Sequence, residues 1–478
     1  MASVKKNLSF QTLYEISVVI FPLLTAPYLS RVLGAEQLGV FSYLSSIAGY
    51  FSTFAILGVS NYGSRSIAEV RDNIKERSVV FWEIFWMKAI TSGIAIIIYL
   101  GYVFFLCTSN RTVAVILIIP TISQLLTINY LFFGLEKFQL TATRSLIIKI
   151  FGTALIFLLV KKPEDLPIYV AIEVGSTLIG NLYMWIKLPR VVQWEPVSIS
   201  GIIRHIKPNL LLFVPLAAMS VYHMMDKTML GIMCSKAENG FYYNADKTVN
   251  IPIGIFNGVT VVLLPKVTNL INTNRIKEYN NVFLNALYGM VVLSLYMAFG
   301  MASISKEFTP IFFGEGYDKC IPLIQYLSAV MVIKAVSFTI RSLYLIPMHK
   351  EKWYIRSTFA GAGVNLVANL SLIPSLGAVG AVLGTLMAEL AACVVQIVSV
   401  RKEIAISESV RRSIPNVIIA ALMFAIVRLI GQALGPSLIC LAIQLTAGGM
   451  IALALTLLLW KFTSNQMLDF ISVNFRRR

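Results

Sequence analysis

Ionisable residues inside long apolar segments are the groups in this chain that could do chemistry. Asp226 and Lys227 are adjacent in one such segment, and Glu173, Lys334 and Glu389 lie deep in others. A charge at the centre of a bilayer costs about 2.5–3.5 kcal/mol, so it normally faces a protein interior or a watery cavity. Buried carboxylates suit coupling to a proton or a sodium ion. The alternative for Glu389 is a structural ion pair with Lys334.

Five further cations lie in these segments: Arg31, Lys88, Lys149, Arg341 and Arg428. Lys334 and Arg341 are seven residues apart and share one face of a helix. Lys88 and Lys149 lie one to two turns from the predicted cytoplasmic ends, and Arg31 and Arg428 lie near the external ends. At such positions a long cationic side chain can instead extend to the membrane interface. With these residues the cations outnumber the acids, which suits an anionic headgroup such as a phosphate or pyrophosphate.

The composition is that of a membrane protein. Of the 478 residues, 57% are hydrophobic and 13% are charged, whereas a soluble protein is about half apolar and about a quarter charged. The net charge of +17 is spread over many short loops, so a nucleic-acid partner is not expected. Three dispersed histidines predict no metal site, and no cofactor is expected. We interpret five distant cysteines as apolar filler: Cys107, Cys234, Cys320, Cys393 and Cys440.

The apolar runs predict an all-α integral membrane protein with about 14 transmembrane helices. Each run is long enough for a helix that crosses the roughly 30 Å hydrocarbon core, and the backbone must satisfy its own hydrogen bonds there. The predicted spans are about 11–32, 38–60, 81–106, 112–133, 145–160, 166–188, 208–233, 243–265, 281–304, 320–345, 355–373, 377–400, 414–432 and 437–461.

The loop cations predict the orientation of these spans. One set of alternate loops is rich in Lys and Arg, for example Arg71, Lys75 and Arg77, which places both termini in the cytoplasm. The opposite loops hold few cations, and we interpret Lys306 as partnered by its neighbour Glu307. No loop is long enough for a soluble catalytic domain and no catalytic motif is present, so an enzyme is not expected.

Two segments of the chain resemble each other and indicate an internal repeat. LGAEQLGVFSY occupies residues 33–43, and LGIMCSKAENGFYY occupies residues 230–243. A weaker pair is Glu136-Lys137-Phe138 and Glu351-Lys352-Trp353. Two six-helix halves of parallel topology would place both pairs correctly, and chance similarity of apolar segments is the alternative. The predicted divisions are residues 1–205, residues 206–402, and residues 403–478 with two additional helices and a basic tail.

Prolines interrupt the helices that precede the repeated segments. Pro22 and Pro27 lie in the first span, and Pro215 lies in the seventh. Interrupted helices at corresponding positions of two halves indicate the substrate pathway of a transporter. We therefore expect these three prolines to act as hinges.

Several motifs resemble the Wzx-type polysaccharide flippases, which carry O-antigen and capsule repeat units and belong to the multidrug/oligosaccharidyl-lipid/polysaccharide exporter superfamily. The clearest is DKTMLG at residues 226–231, followed by GFYY at 240–243 and LPK at 264–266. PYLSRVLG at residues 27–34 and FGLEK at 133–137 are similar to the same family. The motifs mark the family but not the glycan that is carried.

The resemblance implies two six-helix bundles around a central cationic cavity, plus two C-terminal helices, in the bacterial cytoplasmic (inner) membrane. It implies a flippase that moves an undecaprenyl-pyrophosphate-linked oligosaccharide by alternating access. The implied partners are this lipid-linked oligosaccharide, membrane lipids, a coupling proton or sodium ion, and polymerase or chain-length proteins of the same pathway. Motif positions add Arg65 to the cavity set. The predicted substrate-binding residues are Arg31, Arg65, Lys88, Lys149, Asp226, Lys227, Lys334, Arg341 and Arg428, and the ion-coupling residues are Glu173, Asp226 and Glu389.

Three other functions fit parts of the sequence. A multidrug exporter of the same superfamily fits the fold, but it would favour an acidic cavity. A flippase for a lipid-linked peptidoglycan precursor is closer in chemistry. A membrane glycan polymerase is the enzyme alternative, and the lack of a large loop argues against it. The sequence leaves the glycan, the coupling ion and the oligomeric state open.

Overall fold

A computed structural model describes residues 2–462, without the side chains of residues 2–19, Leu211, Pro215 and Val261. This part of the chain is helical and holds no β-strand, which confirms the predicted all-α fold class. The contacts divide the chain into two compact units, Met1–Gly240 and Phe241–Arg478. Each unit is described by itself. The divisions expected at residues 205/206 and 402/403 stay predictions.

The first unit contains ten helices and the start of an eleventh. A π-helical turn, Tyr102–Leu106, extends α3, and short 3₁₀ turns flank α8 at Pro163–Asp165 and Leu188–Arg190. The helices are α1 (Ala2–Ile56), α2 (Val59–Glu69), α3 (Ile74–Gly101), α4 (Arg111–Ile116), α5 (Ile119–Leu126), α6 (Asn129–Gly134), α7 (Phe138–Leu159), α8 (Leu166–Lys187), α9 (Ile199–Arg204), α10 (Ile206–Met233) and α11 (Lys236–Asn272), which runs on into the second unit.

The second unit continues from α11 through six long helices. A π-helical turn, Arg341–Leu345, extends α13. The last two helices pack on α12 and so belong to this unit. The helices are α12 (Ile276–Phe312), α13 (Cys320–Ile340), α14 (Glu351–Leu376), α15 (Ala378–Val400), α16 (Ile406–Leu434) and α17 (Leu438–Phe462).

Twelve helical segments of residues 20–462 are long and apolar enough to cross a membrane, and a bent pair makes a thirteenth. The chain is therefore a multi-pass membrane protein, and the count of fourteen stays a prediction. The first two predicted spans lie in α1, which is broken at Gly34 (φ 73°, ψ 171°). Only glycine adopts this backbone conformation readily. Residues 2–33 and 35–56, on either side, are each as long as a span requires.

The predicted fourth span, 112–133, is broken into α4, α5 and α6. Thr127 between α5 and α6 has an extended ψ of 116°. Backbone groups freed at membrane depth must find partners inside the protein. Here Trp185 Nε1 donates to the carbonyl of Leu126 at 2.8 Å, and Asn181 Nδ2 donates to Thr127 Oγ1 at 2.7 Å and to the carbonyl of Ser123 at 3.0 Å. Side chains of α8 therefore hold this break.

Candidate functional site

The two repeated segments lie against each other in the first unit. The matching glycines are Gly39 in α1 and Gly240 in α11. A Cβ added at Gly39 would meet the carbonyl of Lys236, and one added at Gly240 would meet the carbonyl of Ala35. The contact is thus nearly symmetric, because each glycine faces the backbone of the other segment. Two stretches about 200 residues apart in sequence build one contact, which we call the repeat contact (residues 35–50 with residues 224–240).

Asn239 holds the repeat contact together and is fully buried. Its Nδ2 donates to the carbonyls of Gly39 at 3.2 Å and Lys227 at 3.1 Å, and its Oδ1 accepts from Ser42 Oγ at 3.3 Å. One amide side chain therefore joins α1, the end of α10 and the start of α11. A buried polar group with all these partners orients the helices it joins.

Lys236, at the start of α11, contacts the end of α10. Lys236 Nζ lies 4.2 Å from the centre of the Tyr43 ring and donates to the carbonyl of Gly231 at 2.6 Å. The cation therefore interacts with the face of an aromatic ring and with the C-terminal end of α10, where a helix favours positive charge.

The structure brings Asp226 and Lys227 to the interface of α1 and α10. Asp226 is buried and Lys227 is partly buried. Next to them, Thr228 Oγ1 lies 2.8 Å from Ser46 Oγ and 3.1 Å from Tyr50 Oη. The DKTMLG motif is thus part of a polar helix interface.

Arg31 lies one turn before the break at Gly34. Its side chain is exposed, and its Nη1 lies 3.4 Å from the carbonyl of Pro27. Binding of substrate by Arg31 stays a prediction.

Lys88 lies inside the first unit. It is fully buried near the middle of α3, which begins at Ile74 rather than near residue 81. Its ammonium group therefore lies inside the first unit, and a role in substrate binding stays a prediction. Its Nζ donates to the carbonyl of Thr127 and lies 5.5 Å from the ring centre of Tyr130. The lysine thus stabilises the C-terminal end of α5 at the broken span.

Three other candidates of the first unit lie on separate helices. Arg65 is exposed on α2 and pairs with Glu69 at 3.3 Å. Lys149 is partly buried on α7, and Glu173 is exposed on α8. No ion pair joins Arg65, Lys149 or Glu173 to one another in the described part of the chain. Their cavity and coupling roles stay predictions.

In the second unit, Lys334 of α13 pairs with Glu389 of α15 at 3.6 Å, and both side chains are largely buried. The ion pair considered as the alternative for these residues is therefore present. Arg341, on the same face of α13 by sequence, lies instead with its guanidinium 4.4 Å from the ring centre of Phe338 and 5.4 Å from that of Tyr354. An ion-coupling role for Glu389 would require a cation to compete with Lys334.

Arg428 is held by an acid from another helix. Its Nη1 lies 2.7 Å from Glu307 Oε2 and donates to the carbonyl of Ser303 at 3.1 Å. The expected pairing of Lys306 with Glu307 is wrong, since both residues lie inside α12 and neighbours on a helix do not face each other. Gln444 Nε2 also donates to Glu307 at 3.2 Å. This cluster joins α12, α16 and α17.

A charged pair also joins the two connections at the ends of α13 and α15. Lys350 Nζ donates to Glu403 and, at 2.7 Å, to Tyr344 Oη. The hydrogen bond from Lys350 is the main reason that the pKa of the Glu403 carboxyl lies below its ordinary value. The stabilisation is present above the ordinary pKa of glutamate and is lost as the pH falls through the lowered pKa.

The predicted hinges differ in what surrounds them. α1 stays helical through Pro22 and Pro27, and its break is at Gly34. The chain turns by 47° between residues 199–210 and residues 212–233. Pro215 has no N–H for the carbonyl four residues earlier, that of Leu211, although its side chain lies outside the description. The sequence therefore supports Pro215 as the origin of the bend, and its action as a hinge stays a prediction.

Sequence reasoning missed two residues of the repeat contact, Lys236 and Asn239. Both lie inside the repeated segment that the sequence singled out. Their roles depend on the contact between the two segments, which the sequence does not show. A signal existed, namely small residues at matching positions 39 and 240, which allow close approach of two backbones.

Comparison with known proteins places this geometry in a family. The family model described as "Polysaccharide biosynthesis protein" matches residues 4–271, more than half of the chain, and includes both repeated segments. The chain belongs to this family. The model for the lipid II flippase MurJ matches residues 236–436. These matches confirm the resemblance to Wzx-type flippases and their superfamily.

Three individual proteins give the range of the similarity. A relative from Escherichia coli (strain K12) with the name "Putative O-antigen transporter" is 22% identical over 399 residues, which cover 81% of this chain and 94% of the relative. The structure of a lipid II flippase MurJ in an inward closed conformation matches with a TM-score of 0.74 and 14% identity, and covers 95% of this chain and 99% of that one. An inward-facing multidrug resistance MATE transporter matches with a TM-score of 0.61 and 15% identity, and covers 84% and 99%. The structural likenesses support the fold.

Proposed function

We propose that this member of the polysaccharide biosynthesis family is a flippase. It moves an undecaprenyl-pyrophosphate-linked oligosaccharide across the bacterial cytoplasmic membrane by alternating access, for assembly of a surface polysaccharide such as O-antigen or capsule. The prenyl tail stays in lipid while the pyrophosphate and sugars pass through the protein. The observation that carries the proposal is the family match over residues 4–271.

The lengths of the connections favour movement of a glycan over its synthesis. In the described part of the chain, the longest connection between two helices is residues 191–198. Such a segment is too short to form a folded catalytic domain. A protein of polysaccharide biosynthesis that consists almost entirely of membrane-length helices is best explained as the component that carries the lipid-linked product of other enzymes.

The charges favour a substrate with an anionic headgroup. Arg31 and Lys227 lie in family-like motifs, and Arg31 is exposed beside the break in α1. An arginine binds phosphate oxygens through two parallel hydrogen bonds, which adds affinity and orientation. Asp226 and Glu389 are the acids proposed to respond to a coupling proton or sodium ion.

Reconstituted vesicles test this function. The purified protein is placed in vesicles that contain undecaprenyl-pyrophosphate-linked oligosaccharide, and impermeant periodate reports the sugars in the outer leaflet. Loss of one charge-assisted hydrogen bond costs about 1.5–3 kcal/mol, so Arg31→Ala and Lys227→Ala should each slow flipping by about tenfold or more. The exposed Lys277→Ala variant is the control and should flip at the wild-type rate. Wild-type rates in both test variants would refute the proposed role of these cations.

A lipid-linked peptidoglycan precursor is the second candidate substrate, because the MurJ model matches residues 236–436. The same vesicles distinguish the two substrates. Flipping of the peptidoglycan precursor at a higher rate than the oligosaccharide would replace the proposed substrate and keep the flippase function.

A further inference from the structure

A buried acid and imidazole join three helices of the first unit. Glu83 on α3 and His205, between α9 and α10, are 3% and 5% exposed. His205 Nε2 lies 2.9 Å from Glu83 Oε2, and Arg204 Nη2 donates to the same oxygen. On the other side of the ring, His205 Nδ1 lies 2.6 Å from Tyr62 Oη of α2. We call Tyr62, Glu83, Arg204 and His205 the histidine cluster.

The histidine cluster lies at the start of the segment that bends. His205 directly precedes α10, and the 47° turn follows between residues 210 and 212. One turn after His205, Asn209 is fully buried and its Oδ1 has no hydrogen-bond partner among the described residues. A buried acceptor without a partner is costly. The histidine cluster therefore fixes the start of the bent helix α10.

The hydrogen bonds allow the histidine cluster to bind one more proton. In neutral His205, a proton on Nε2 is donated to Glu83, and Nδ1 accepts from the Tyr62 hydroxyl. A proton from water that binds Nδ1 reverses the second bond, so that Nδ1–H donates to the Tyr62 oxygen. No other bond must break, and the imidazolium then balances the charge of Glu83.

Two cationic groups would then compete for one carboxylate oxygen. Arg204 and His205 both reach Glu83 Oε2. Arg204 is 57% exposed, so it can leave the carboxylate and be solvated at low cost. Arg204 is the last residue of α9, and its release would remove one of the contacts between α9 and α3, while Gly201 still lies against Glu83. The groups that face His205 in the described chain are Glu83 from α3, Tyr62 from α2 and Arg204 from its own segment.

We propose that Glu83, His205 and Arg204 form a proton-binding site that controls the position of α9 and the bend of α10. Proton binding would drive a step of flipping, and this link to transport rests on the proposed function. The existence of the proton site is independent of the proposed function. An unperturbed imidazole changes its charge within the physiological pH range, and this site is expected to bind its proton below neutral pH.

Two measurements on the full chain in lipid nanodiscs test the proton site without any lipid-linked substrate. The first is the NMR titration of ¹³C-labelled histidine; the chain has three histidines, and His205→Gln identifies the His205 signal. The second is the distance between spin labels on Ser200→Cys of α9 and Lys75→Cys of α3, both exposed. Four of the native cysteines are buried, and Cys234→Ser removes the partly exposed one.

The expected result is that the distance between the labels changes with pH, with the same midpoint as the His205 titration. For one proton, the ratio of the two label distances' populations changes by at most about tenfold per pH unit. His205→Gln should abolish the change, and Glu83→Gln, which removes the ion pair of Arg204, should give one label distance at every pH. His349→Gln, at an exposed loop position, is the control and should leave the change intact.

Three results would overturn the proton site. They are a pH-dependent distance that persists in His205→Gln, a His205 signal that titrates while the distance stays constant, and a His205 signal that does not titrate between pH 5 and pH 8.5. Because these results need no substrate, a failure of the flipping assay leaves them unaffected. Intact flipping with a constant α9 distance would refute the proton site alone.

Discussion

Arg428 is predicted from the sequence to bind substrate, but the structure gives its side chain a role in holding helices together. A cation within an apolar segment predicts a substrate cavity, but Glu307 already pairs with Arg428, and Gln444 donates to the same carboxylate. In a low-dielectric interior, removal of one partner leaves the other charge without compensation, which costs far more than the pair is worth. The side chains therefore bind α16 and α17 to α12.

At the residue scale, Arg428→Met should lower the stability of the protein by about 3–5 kcal/mol, because Glu307 stays buried and charged. The double variant Arg428→Met/Glu307→Met should recover most of this loss, since no buried charge remains. Thermal unfolding of the detergent-solubilised protein, followed by size-exclusion chromatography, measures both. An intact unfolding temperature in Arg428→Met would contradict the structural role.

The exposed pair of Arg275 and Glu278, 2.6 Å apart, is the control for this measurement. Both side chains are 55% exposed, and solvent-exposed ion pairs contribute about 0–1 kcal/mol. Arg275→Met should therefore leave the unfolding temperature nearly unchanged.

The sequence identified which charges are unusual at the residue scale but could not identify their partners. The sequence predicts an ion pair between Glu307 and its neighbour Lys306, whereas the partner of Glu307 is Arg428 on α16. The partner of Lys88 is the carbonyl of Thr127, which lies on the broken span and not on α3. Partner choice depends on how distant helices pack, and hydropathy along the chain carries no information on packing.

At the element scale, the repeat contact depends on two glycines that leave no space for a side chain. Gly39 faces the carbonyl of Lys236, and Gly240 faces that of Ala35. A backbone carbonyl in a helix cannot move aside, whereas the end of a flexible side chain can. An added methyl group must therefore push α1 away from α10 and α11.

Gly39→Ala and Gly240→Ala should each destabilise the protein by about 1–3 kcal/mol, the usual cost of overpacking. Gly258→Ala is the matched control, because Gly258 also lies inside α11 but has nothing within 4 Å of an added Cβ. There the alanine should stabilise the helix by about 0.8–1 kcal/mol. Unfolding temperatures measure all three variants, and equal effects at Gly39 and Gly258 would disprove the close contact.

Helices were predicted well from sequence and their interruptions were not. Length and apolarity identify a span because the bilayer imposes both. The break at Thr127 carries no such signal, since it depends on Trp185 and Asn181 of a different helix. Similarly, the sequence predicts hinges at the prolines of α1, whereas the break in α1 lies at Gly34, which has a positive φ.

At the scale of the whole molecule, the fold class and the family followed from composition and a few motifs. The family match spans both repeated segments, and the helices fill nearly all of the described chain. The orientation of the termini, the glycan and the coupling ion depend on the membrane and the substrate, so they stay proposals. The central claim is that the protein moves a lipid-linked glycan rather than making it.

The leaflet in which the lipid-linked repeat unit lies tests this claim most directly. Spheroplasts of cells with and without the protein are treated with an impermeant glycan-oxidising reagent, and the oxidised and intact units are then counted. Cells that lack the protein should still make the unit but keep it shielded, and cells that contain it should expose the unit. Equal exposure in both cell types would contradict the flippase function.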